Sequence, residues 1–86
     1  MPVFLIETYL PGSADALEQA PKSARKTAEL AAREGVAVRH LGTTLVPADE
    51  TCLHLFEAPS VAVLEAVAAR AGLACDRIVE ALSPSD

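Results

Sequence analysis

Two apolar runs, residues 36–46 (VAVRHLGTTLV) and 51–57 (TCLHLFE), are separated by nothing more than Pro47-Ala48-Asp49-Glu50. No other feature constrains the fold of this chain as strongly. Both runs read as strands, and Pro47 and Asp49 supply the turn chemistry between them. So short a link forces the two strands to be antiparallel neighbours, a hairpin.

A strand and a helical segment lie on each side of this hairpin. Residues 3–10 (VFLIETYL) form strand one, which stops at Pro11-Gly12. Ser13 is placed to cap the next segment, and Asp15 in its first turn favours the helix dipole. Gly35 closes that segment in the position of a left-handed cap. Pro21 falls inside it. A proline removes a backbone donor and clashes with the preceding turn, which predicts a short helical turn over 13–19, a break, and a main helix over 21–34. Ala24, Ala28 and Ala31, with Leu30 beside them, form the inner stripe, while Arg25, Glu29 and Arg33 pair on a solvated face. After the hairpin, Ser60 caps a helix over 61–71 with Val63, Val67 and Ala71 on one face and Leu64 and Ala68 beside it. Gly72 ends that helix, and Leu73 is the apolar residue expected after a glycine cap. Residues 76–82 make strand four, and 83–86 a loose tail. The order is β-α-β-β-α-β in one domain over 1–86, an α+β fold of ferredoxin-like type. The antiparallel sheet order is 4-1-3-2, both helices cover one face, and the other face stays bare. A bare apolar face is covered by a partner chain or shapes a binding cavity.

Apolar residues make up 51% of the 86, but aromatics only 3%, and alanine fills much of the remainder. A domain of this size buries roughly 60–65% of its unfolded surface, so an alanine-rich core gains from a second copy. The net charge of -5, without a basic patch interleaved with aromatics, excludes nucleic acid as a partner and disfavours anionic membranes. No apolar run reaches the ~18–20 residues of a membrane span. The first ten residues lack the basic start and the length of a signal peptide. Two cysteines far apart in sequence do not make a secreted disulfide framework, and the cytoplasm is the expected compartment.

Chemistry is expected on the bare face. Along strand three Leu53 and Leu55 alternate with Cys52, His54 and Phe56, and the leucine pair is expected on the helices. Cys52, His54 and Phe56 then face outward. The same reasoning sends Phe4 and Ile6 of strand one inward and Glu7 and Tyr9 outward, so Glu7, Tyr9, Cys52 and His54 converge. His40 joins them or not according to hairpin register, which a one-residue slip or a bulge near 47–50 would reverse. A thiolate, imidazoles and a carboxylate suit nickel, zinc or copper, with Glu7 completing the set or orienting an imidazole. An unperturbed imidazole would weaken such binding below about pH 6. The competing reading makes Cys52 a small buried hydrophobe and His54 a hydrogen-bonded interior side chain. Cys52 and His54, side by side on one strand with no Asp or Asn orienter, lack the arrangement for nucleophilic catalysis. Cys75 lies two strands away, ~10 Å from Cys52, beyond disulfide reach.

The runs FLIETYLPG at 4–12, EGVAVRHL at 34–41, PADETCLHLFEAPS at 47–60 and AGLACDRIVEAL at 71–82 resemble a family of small bacterial proteins, mostly of unknown function, that includes a nickel-binding member. The resemblance spans nearly the whole chain and implies a dimeric α/β barrel in which two sheets face each other. It also implies metal binding, attached first to Cys52 in the DETC run. His54, His40 and Glu7 are added as metal ligands by strand geometry. Two functions are therefore expected as alternatives: a cytoplasmic homodimer that binds a transition metal such as nickel, or a small-molecule-binding or monooxygenase-like dimeric barrel. A structural dimer without ligand is the third. Binding is favoured over catalysis.

Overall fold

A computed structural model describes residues 1–12 and 14–82. The elements run β1 (Val3–Tyr9), α1 (Ala14–Arg33), β2 (Arg39–Val46), a 3-10 turn (Pro47–Asp49), β3 (Thr51–Glu57), α2 (Val61–Ala71) and β4 (Arg77–Ala81). The strands form one antiparallel sheet of order β2-β3-β1-β4, the arrangement expected of a ferredoxin-like α+β domain. The expected cap at Ser13 and the tail at 83–86 lie outside the described residues.

Pro21 does not break the helix, contrary to expectation: α1 is continuous across it. The buried residues Leu17, Ala20, Ala24, Thr27 and Ala31 form one stripe that runs past the proline on both sides. Keeping that stripe on the sheet outweighs a proline penalty of about 3 kcal/mol. Gly35 ends α1 with φ +72. Val36 and Gly35 donate back to the Ala31 and Ala32 carbonyls at 2.8 and 3.2 Å, closing the paired-bond glycine cap. The Ser60 hydroxyl accepts from the Val63 amide at 3.2 Å, as a helix start there requires. Gly72 repeats the glycine cap on α2, and Leu73 behind it is buried. The buried side of α2 is Leu64, Val67 and Ala68, with Val63 half-buried, so the helix is rotated relative to the expected stripe.

Phe4, Ile6 and Thr8 of β1 and Cys52, His54 and Phe56 of β3 are buried beneath the helices. Leu5, Glu7, Leu53 and Leu55 alternate with them on the open face. The strand-three expectation is therefore reversed. Register explains this: Ile6 sits opposite His54 and Thr8 opposite Cys52, while Leu5 and Glu7 sit opposite Leu55 and Leu53. Both faces of β3 are apolar, so its own composition does not decide which is inner. The alternation of β1 decides it for both strands.

Candidate functional site

β3 carries Cys52 and His54, two residues apart and on one face, as its alternation requires. Both have 0% exposure. The Cys52 Sγ lies 3.4 Å from His54 Nε2. The other ring nitrogen, Nδ1, lies 2.8 Å from the Thr43 hydroxyl, which is also 2.8 Å from His40 Nε2. The four side chains thus form a line, Cys52–His54–Thr43–His40, running from the interior to the edge strand. Phe56 packs against both imidazoles, with ring centroids 5.3 Å from His40 and 6.3 Å from His54.

Of the expected site residues, Cys52, His54 and His40 are brought together. Glu7 is not, because it lies on the opposite face of the sheet, beside Leu53 and Arg77. Tyr9 is on that opposite face too, and exposed. His40 reaches the group through a bulge between His40 and Gly42, not near residues 47–50. Thr43 and the position of the bulge were not foreseen. The signal for them was present: a glycine inside a strand pattern often marks a bulge.

A cavity of about 220 Å³ adjoins the cysteine end of the line. Its walls come from Thr8 and Leu10 of the β1 end, the α1 side chains Ala16, Gln19, Ala20 and Ser23, and the 72–74 loop, with Cys52 and His54 on the sheet side. Three small residues on that side of α1 leave this space open. Gln19, Gly72 and Ala74 are exposed, which puts the mouth at the surface. The Thr8 hydroxyl donates to the Ala74 carbonyl at 2.6 Å, and the Tyr9 amide donates to the Asp76 carboxylate at 2.7 Å, fastening the 72–76 loop to β1. On the other side, the Leu10 amide donates to the Glu50 carbonyl at 2.7 Å and the Gly12 amide donates to the Glu50 carboxylate.

Burial, then the neighbouring His40, pushes the His54 imidazole down from 6.5 to about 4. It is therefore neutral at neutral and mildly acidic pH, and the expected loss of a histidine ligand near pH 6 does not apply to it. Burial raises the Cys52 thiol; the Thr8 hydroxyl opposes this and Asp76 adds to it. The pair is an S–H···N hydrogen bond between neutral groups, not a thiolate–imidazolium couple prepared for nucleophilic attack. Both cysteines are free thiols, Cys52 buried and Cys75 exposed. Among the described residues no three His, Cys, Asp or Glu side chains are grouped to hold a metal ion.

The chain is similar to SCO4226 from Streptomyces coelicolor A3(2), known from a crystal structure. Sequence identity is 26%, coverage is 96% of this chain and 99% of that one, and the TM-score is 0.69. The likeness extends over the full domain and supports the ferredoxin-like assignment. No protein-family profile and no curated protein matches the chain. No helix among the described residues is long and apolar enough to cross a membrane.

Proposed function

We propose that this chain is a cytoplasmic homodimeric binding protein that takes a soft divalent metal, of the nickel or zinc type, between Cys52 and His54 at the cavity wall. The observation that carries the reading is the 3.4 Å separation of Cys52 Sγ and His54 Nε2. Metal–sulfur and metal–nitrogen bonds of about 2.3 and 2.0 Å at a tetrahedral angle place the two donors about 3.5 Å apart. The observed separation therefore matches what one metal in place of the thiol proton needs. The neutral imidazole can ligate through its unprotonated nitrogen without losing a proton, and thiolate with imidazole favours nickel, zinc or copper over magnesium or calcium. Two protein donors make half a tetrahedral shell, and the cavity gives room for water or a small ligand to complete it. Glu7 has no part in this centre. The half-buried Val3, Leu5, Leu53, Leu55 and Val79 on the open face supply the surface for a second copy, and free thiols suit a reducing compartment.

Titration calorimetry with nickel and with zinc on untagged protein tests the reading. Wild type binds stoichiometrically, and the Cys52→Ser/His54→Ala double variant loses binding while remaining folded. Equal affinity in both proteins, or binding by neither, rejects it. The cavity favours a second reading, since its mixed walls of Leu10, Ala20 and Leu73 with Gln19 and Ser23 fit a small organic ligand bound without metal.

A further inference from the structure

Residues three apart on a regular strand face opposite ways. The bulge between His40 and Gly42 adds Leu41 to the edge strand, so that His40 and Thr43 both face the helices, opposite Phe56 and His54. One hydroxyl consequently lies 2.8 Å from a nitrogen of each of two imidazoles. A hydroxyl carries one proton, so it donates to one ring and accepts from the other.

The thiol sets the direction. Cys52 carries one S–H proton and its sulfur is a weak acceptor, so the 3.4 Å contact with the ring nitrogen is an S–H···N bond to Nε2. In the neutral His54 ring Nδ1 is then the N–H donor. The Thr43 oxygen therefore accepts from His54 Nδ1–H, and Thr43 donates its own proton to His40 Nε2. This leaves a lone pair on His54 Nε2, directed at Cys52 Sγ.

We infer that Thr43 and His40 are positioning residues that lock His54 in its Nδ1–H tautomer and so aim the Nε2 lone pair at the ligand position beside Cys52. The link to a soft divalent metal rests on the function proposed above; the tautomer does not. Hydrogen bonds of this kind fix the tautomer and orientation of a ligating histidine, and losing one lowers metal affinity by about 10–100-fold.

The test is the nitrogen-15 spectrum of the His54 ring in metal-free protein near neutral pH, with nickel titration of the same samples. Wild type and Thr43→Ser show the Nδ1–H tautomer. Thr43→Val shifts toward Nε2–H and binds nickel about 10–100-fold more weakly. A side chain that merely filled space would leave the tautomer unmoved and would not need the serine hydroxyl. An Nε2–H tautomer in wild type, or an unchanged tautomer in Thr43→Val, overturns the inference. If Thr43→Val does not fold, the wild-type and Thr43→Ser spectra decide it. Wild type with the Nδ1–H tautomer and no nickel binding upholds the positioning role and rejects the metal reading alone.

Discussion

Acidifying the metal-free protein from about pH 7 to about pH 4.5 charges a histidine in the unfolded chain that the fold keeps neutral. His54 titrates at 6.5 in the ordinary case and at about 4 in the folded protein, chiefly because it is buried. Between these values the unfolded chain binds more protons, so stability rises with pH across the window. The contribution is fully present above 6.5 and is lost as pH falls toward about 4. At about pH 4.5 the two titrations differ by about 2.5 kcal/mol, a large share of the 5–15 kcal/mol typical of a domain. His40, lowered by burial first and by Arg25 as well, acts in the same direction. Urea unfolding at fixed ionic strength measures the effect, with His54→Gln as the reference that removes this one titration and keeps the others. Wild type should lose about 2.5 kcal/mol more than the variant over the interval. Parallel pH profiles would refute the argument and mean that the imidazole charges inside the fold without penalty.

Pro21→Ala should stabilise the protein by about 1–3 kcal/mol, since it restores a donor inside a continuous helix, and a lower denaturation midpoint would show that the proline is not a burden there. Gly72→Ala should cost about 1 kcal/mol through its left-handed backbone alone, because nothing lies within 4 Å of an added methyl; Gly42→Ala, equally open and without positive φ, should cost less in the same assay. Leu55→Glu, on the open sheet face, should convert a dimer to a folded monomer by light scattering, and an unchanged mass would remove that face from any self-association.

The element order was legible because its punctuation is chemical: Pro11-Gly12, Gly35, the 47–50 link, Ser60 and Gly72 each end or start a segment where the structure does. What was not legible depended on contacts between segments. Pro21 misleads because propensity is local, while the stripe from Leu17 to Ala31 is held by the whole sheet. Cys52 and His54 were correctly paired, since alternation is a property of one strand, but their face was fixed by pairing with Ile6 and Thr8 across the sheet. That reversal cost the expected site Glu7 and substituted Thr43, whose place beside both histidines depends on one extra residue in the edge strand.

Cobalt(II) titration of the Cys75→Ser protein, followed by thiolate-to-metal charge-transfer absorption, tests the central claim most directly, because with the exposed thiol removed only Cys52 can give that band. A saturable band in this protein that disappears with Cys52→Ser and weakens with His54→Ala is the predicted result. A featureless titration of the folded Cys75→Ser protein, or a band that survives Cys52→Ser, would contradict it.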